Sequence, residues 1–117
     1  MEDDDDLREG LRQALVEHGH AVSAAASGAA GMRVLETLIP DIVVTDIVME
    51  DGEGISAIVE LHKIRPELPV IAISGNAMYL EHSLKLGARQ ALLKPFKIGA
   101  LMASVEDCLN PRRNACA

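Results

Sequence analysis

Apolar residues fall along this chain in two alternating rhythms. Leu7, Leu11, Ala14, Leu15 and His18 recur at helical spacing, and Gly19 stops the pattern. The short stretch Ala21-Val22-Ser23-Ala24-Ala25 reads as a weak strand. Ser27 is a candidate N-cap for a second helix, whose stripe includes Ala30, Val34, Leu35 and Leu38, with Pro40 beyond it. Ile42-Val43-Val44 then forms a β-branched run, as expected of a strand buried on both faces. After the loop Asp51-Gly52-Glu53-Gly54, the residues Ile55, Ile58, Val59 and Leu61 predict a third helix, closed by Pro66. Val70-Ile71-Ala72-Ile73 repeats the buried-strand pattern, a helix follows over Ala77 to Leu86, and Gly87 ends it. Ala91-Leu92-Leu93 is a last short strand before Lys94-Pro95, and Ile98 to Leu109 a final helix. Strands alternating with helices predict an α/β domain with a parallel sheet and right-handed crossovers.

Length and composition narrow the class. The 117 residues suit one domain, read as residues 1–110, with a polar C-terminal tail over 111–117. An apolar fraction of 49% with 25% charged residues is that of a folded globular chain. The net charge of −7 disfavours direct nucleic-acid binding, since phosphates would be repelled. Aromatics are only 2%, Tyr79 and Phe96, so platforms for stacking bases are also missing. No apolar run approaches the ~20 residues that span a bilayer, and the acidic start is unlike a signal peptide. A cytoplasmic protein is expected. Cys108 and Cys116 lack a CxxC or metal-like partner set and read as free thiols of a reducing compartment.

In open α/β sheets, ligands bind outside the carboxyl ends of the strands. There the chain places Thr45-Asp46, Ser74-Gly75 and Lys94-Pro95, while Glu2 and Asp3 precede the first helix. Each piece alone is usually a turn, a cap or a solvated loop residue. Together, in order, they are chemically coherent. Crowded carboxylates repel, and a hard divalent cation such as Mg²⁺ relieves that repulsion with oxygen ligands. A hydroxyl and an ammonium beside it can cradle a phosphoryl group, and a central carboxylate can be the nucleophile that accepts phosphate.

Glu2-Asp3…Leu7-Arg8, Pro40-Asp41-Ile42-Val43-Val44-Thr45-Asp46-Ile47-Val48-Met49, Glu53-Gly54, Leu68-Pro69-Val70-Ile71-Ala72-Ile73-Ser74-Gly75, Gly87-Ala88 and Leu93-Lys94-Pro95-Phe96 resemble the receiver (CheY-like) domain of bacterial response regulators. The resemblance spans almost the whole chain. It implies a doubly wound, flavodoxin-like parallel sheet and a module of two-component signalling or phosphorelay, expected to stand alone because no output domain fits in the remaining residues. Asp46 would be the phosphoacceptor, Glu2, Asp3 and Asp46 the carboxylates that hold Mg²⁺, and the Val48 backbone carbonyl a further metal ligand. Ser74 would be the switch hydroxyl and Lys94 the ion-pair partner of the phosphoryl group, with a cis peptide before Pro95. The implied partners are a sensor histidine kinase or histidine phosphotransfer protein and a downstream protein target, with no nucleic acid and no membrane. Such a module is not an enzyme beyond catalysing its own phosphorylation and dephosphorylation.

Three departures change the expectation. Glu50 replaces the family's usual proline four residues after the phosphoacceptor, and Ala91 replaces the aromatic switch residue. The family's first strand is also missing, because Met1 directly precedes Glu2. In strand order 2-1-3-4-5 that strand lies inside the sheet. The expectation is therefore an upstream start of the natural chain, or a gap filled by another chain or by direct pairing of the second and third strands. In the chain as it stands, the acidic pair should be displaced and Mg²⁺ affinity low. Unpaired edges should drive dimers or higher homo-oligomers. The competing interface is the face of the fourth helix, fifth strand and fifth helix, with Tyr79 and Leu101 as candidates. A haloacid-dehalogenase-type enzyme needs an acid two residues after the nucleophile, where Val48 stands. Gly52-Glu53-Gly54-Ile55-Ser56-Ala57 imitates a dinucleotide fingerprint but lies too far past its strand. The alternative to a phosphoacceptor is a non-phosphorylated receiver-like interaction module.

Overall fold

The computed structural model describes residues 1–47 and 54–109. Expectations for Val48, Glu50, the loop before Gly54, Cys116 and the C-terminal tail fall outside these residues. The helices are α1 (Asp5–Glu17), α2 (Gly28–Val34), α3 (Gly54–Ile64), α4 (Ala77–Leu86) and α5 (Ile98–Leu109). The strands are β1 (Val43–Asp46), β2 (Val70–Ser74) and β3 (Gln90–Leu93). They pair in parallel in the order β1-β2-β3, with Val43 opposite Val70 and Ile71 opposite Gln90. Among the described residues no helix is long and apolar enough to cross a membrane.

Two apolar layers sandwich the sheet. On one face Ile58 and Leu61 of α3 and Leu80 of α4 pack with Leu35, Val43, Val70 and Ala72. On the other, Leu11 of α1 and Leu101, Val105 and Cys108 of α5 cover Ile71 and Ile73. All five side chains of β2 are buried, as its continuous apolar run requires of a strand covered on both faces. Caps set the helix starts. Asp4 accepts from the Leu7 amide, Ser27 from Ala30, and Asn76 from Met78 and Tyr79. Gly87 closes α4 at φ 127°, a backbone region other residues avoid, and lies against His62.

Four expectations need correction. Ala21–Ala25 is not a strand: its small side chains have little strand preference, and it meets the N-terminal segment where the Ala25 carbonyl accepts from the Glu2 amide. Nor does it pair with β1. Leu101 is fully buried, so it cannot belong to a docking face, whereas Tyr79 is half exposed. The acidic pair is not displaced. The Met1 ammonium donates to the Val44 carbonyl at 2.8 Å, and the Asp46 amide donates to the Met1 carbonyl at 2.9 Å. On the opposite side the Glu2 amide donates to the Ala25 carbonyl at 3.0 Å. Two residues thus hold the position that a whole strand was expected to be needed for. Beside them the sheet leaves a cleft of about 520 Å³.

Candidate functional site

The site lies at the carboxyl ends of β1, β2 and β3. Asp46 is the last residue of β1 and is 5% exposed. Its main chain is fixed from both sides, by its own amide on Met1 and by the Ile47 amide on the Ile73 carbonyl at 3.0 Å. Gly54 brings the start of α3 against the carbonyls of Asp46 and Ile47, where a Cβ atom would collide with backbone. Glycine is required there by close approach.

Glu2 is 3% exposed, deeper than its place in an acidic N-terminal run suggests. Its carbonyl accepts from the Arg8 guanidinium at 3.0 Å, and its Oε2 from the Asp4 amide at 3.2 Å. Asp3 is half-buried beside it. Carboxylate oxygens of Glu2, Asp3 and Asp46 lie within 4.8 Å of one another. Lys94, just past β3, donates from Nζ to Asp46 Oδ2 at 2.7 Å and to Glu2 Oε1 at 2.9 Å. The following peptide, Lys94–Pro95, is cis, as the resemblance implied.

Ser74 ends β2 and is buried; its Oγ accepts from the Asn76 amide at 3.0 Å and its carbonyl from the Lys94 amide at 2.8 Å. The serine and the lysine are therefore linked through main chain. Of the anticipated residues, Glu2, Asp3, Asp46 and Lys94 come together, and Ser74 lies on the adjacent strand end. Val48 lies outside the described residues. Sequence reasoning missed the clamps on Glu2 from Arg8 and the Asp4 amide. The signal was the spacing of Arg8 from Glu2, which places the arginine on the first turn of α1.

Burial pushes the Glu2 carboxyl above its usual range, against the opposing hydrogen bonds from Lys94 and the Asp4 amide. For Lys94, burial works to lower the ammonium, but its bonds to Asp46 and Glu2 outweigh it and hold the group higher than usual. Burial lowers the Met1 ammonium, which Glu2 and Asp46 resist. The donor set suits a hard divalent cation: three carboxylates, two of them buried, offer oxygens at one point.

Comparison with known proteins agrees with this geometry. Residues 1–106 match the family model for the response regulator receiver domain. The chain is 33% identical over 111 residues to the DNA-binding transcriptional regulator NtrC of Azospirillum brasilense, covering 93% of this chain and 23% of that protein. It is also 33% identical over 119 residues to the transcriptional regulatory protein PrrA of Mycobacterium leprae, covering 100% of this chain and 51% of the relative. The chain thus spans about a quarter of the one regulator and about half of the other. Among solved structures, the receiver domain of NtrX from Brucella abortus superposes with a TM-score of 0.88 at 27% identity, over 93% of this chain and 94% of that one. A CheY-like receiver domain protein from Methanospirillum hungatei gives 0.89 at 25% identity, over 97% and 93%. With buried acids, a lysine and a hydroxyl gathered at the strand ends of such a fold, the chain belongs to the response regulator receiver domains of two-component systems.

Proposed function

We propose that Asp46 accepts a phosphoryl group from a histidine kinase or a histidine phosphotransfer protein, and that the modified chain signals by contact with another protein. The observation that carries this reading is a carboxylate at the end of a buried strand, 2.7 Å from Lys94 Nζ and next to Glu2 and Asp3. An Asp46 oxygen attacks phosphorus while the bond from phosphorus to the donor imidazole breaks, and the leaving nitrogen takes up a proton. Ser74 Oγ and Lys94 Nζ then hydrogen-bond the new phosphoryl oxygens, which draws Lys94 away from Glu2.

Glu2, Asp3 and Asp46 would hold Mg²⁺, together with the Val48 carbonyl. Bound there, the ion supplies charge neutralisation for the incoming phosphoryl oxygens. Beyond its own phosphorylation and dephosphorylation the chain catalyses nothing in this reading, and it acts in the cytoplasm without contacting nucleic acid or membrane. Self-association would use the exposed side chains of Tyr79, Leu93 and Ile98, on α4, β3 and α5.

The test is intact-mass measurement after incubation with acetyl phosphate and Mg²⁺. Wild type should gain one phosphoryl group and Asp46→Asn none. Equal labelling of the two chains would remove Asp46 from the mechanism, and no labelling of either would favour the non-phosphorylated interaction module.

A further inference from the structure

Ser74 is joined to α4 by hydrogen bonds that follow one another along the chain. Its Oγ accepts from the Asn76 amide at 3.0 Å, closing a tight turn over Gly75. Asn76 is the N-cap of α4, and its Oδ1 accepts from the Met78 amide at 2.9 Å and the Tyr79 amide at 3.3 Å. Two amides at the head of α4 are thus held by a side chain whose own amide is held by Ser74. Gly75 is exposed, and a Cβ added there would meet nothing within 4 Å, so packing on that side does not brace the turn. Further along, α4 is anchored: Leu80 is buried and packs with Ala72 and Ala88, and Ser83 is buried. Met78 and Tyr79, 76% and 49% exposed, have no such anchor. On β3 no ring is available to turn, because Ala91 stands there, opposite Ala72 in the strand pairing.

We propose that Asn76 relays the state of Ser74 to the first turn of α4, so that a phosphoryl group on Asp46 is read at Met78 and Tyr79. The inference rests on the phosphoacceptor reading above and adds the path by which the modified state reaches the surface. To bond the phosphoryl group, Ser74 Oγ turns from one staggered rotamer to another, a displacement of about 2 Å that breaks its 3.0 Å bond with the Asn76 amide. That amide then turns to water, and Gly75 lets the turn reorient. Asn76 Oδ1 loses its alignment with the amides of Met78 and Tyr79, which have no partner within the helix. The first turn of α4 opens, while Leu80 and Ser83 keep the rest of the helix on the sheet. Without the phosphoryl group the same bonds keep Tyr79 half covered.

Tyr79 is the chain's only tyrosine and there is no tryptophan, so the intrinsic fluorescence reports on this residue. The full chain is treated with acetyl phosphate and Mg²⁺. Intact mass gives the phosphoryl content, and acrylamide quenching gives the exposure of Tyr79 in the same sample. Quenching of wild type should rise with phosphorylation, by up to about twofold, since Tyr79 starts 49% exposed. Asn76→Ala keeps the amide but removes the cap. It should take up the phosphoryl group as wild type does, show the raised quenching from the start and respond no further. Asn76→Ser restores a capping oxygen and should recover the wild-type response. A wild type that gains no phosphoryl group overturns the phosphoacceptor reading and the relay together. A phosphorylated wild type whose quenching stays level, or falls as covering of Tyr79 in a dimer would make it, overturns the relay alone. So does an Asn76→Ala chain that responds like wild type, or a phosphorylated Asn76→Ser chain that does not respond.

Discussion

Lys94 Nζ lies 2.7 Å from Asp46 Oδ2 although the two residues are 48 positions apart, and the same ammonium reaches Glu2 at 2.9 Å. One cation therefore ties the end of β3 to the end of β1 and to the N-terminus. Lys94→Ala leaves two buried carboxylates without it. Breaking a buried pair from one side typically costs about 3–5 kcal/mol. With the lysine side chain 24% exposed, a loss of about 1–3 kcal/mol is expected, read as a lower urea midpoint at pH 7.5. An unchanged midpoint would mean that the bridge carries no net stability.

The raised Glu2 carboxyl makes stability depend on pH with a definite sign. A carboxyl whose folded pKa exceeds its unfolded one is protonated more readily in the native state. Stability therefore falls as pH rises from the usual value of 4.5 through the raised folded value. In EDTA, the melting temperature of wild type minus that of Glu2→Gln should decline across that window and then level off. The difference isolates Glu2 from the Met1 ammonium, whose lowered pKa acts in the opposite sense nearer 8.0. A difference that rises with pH would contradict the assignment.

Metal should stabilise the fold, because the three carboxylates already converge. For a site with a Kd near 1 mM, about 10 mM Mg²⁺ adds about 1.4 kcal/mol. Glu2→Gln and Asp3→Asn should each abolish most of that gain in thermal denaturation. Equal Mg²⁺ stabilisation of wild type and both variants would place the ion elsewhere.

Gly54→Ala tests the packing of α3 on β1. A Cβ there meets the main-chain carbonyls of Ile47 and Asp46, which cannot turn away as a flexible side chain could. The ~1–3 kcal/mol cost of overpacking is expected. Gly99→Ala, with open space around it, is the control and should stabilise or leave α5 unchanged.

Much of this was legible in the residues. Val70–Ser74 and Val43–Asp46 announce themselves because strands buried on both faces need unbroken apolar runs, and the polar groups at their ends mark the site. The disposition of Glu2 was not legible. The expectation that a whole strand was needed there overlooked that Met1 bonds the Val44 carbonyl and the Asp46 amide, and that Arg8 and Lys94 hold Glu2 from two sides. Ala21–Ala25 misled for the converse reason, since strand identity there depends on a neighbour rather than on its own residues. The burial of Leu101 was readable: with Ser104, Val105 and Cys108 it forms the inward stripe of α5 at helical spacing.

The central claim is that Asp46 carries the phosphoryl group. Borohydride reduction of the acyl phosphate converts the modified aspartate to homoserine, which peptide mass mapping can locate. After reaction with acetyl phosphate and Mg²⁺, the account predicts homoserine at position 46 and at no other acid, including Glu2 and Asp3. Reduction at a different carboxylate, or an unmodified Asp46 in a chain that has gained phosphate, would contradict it.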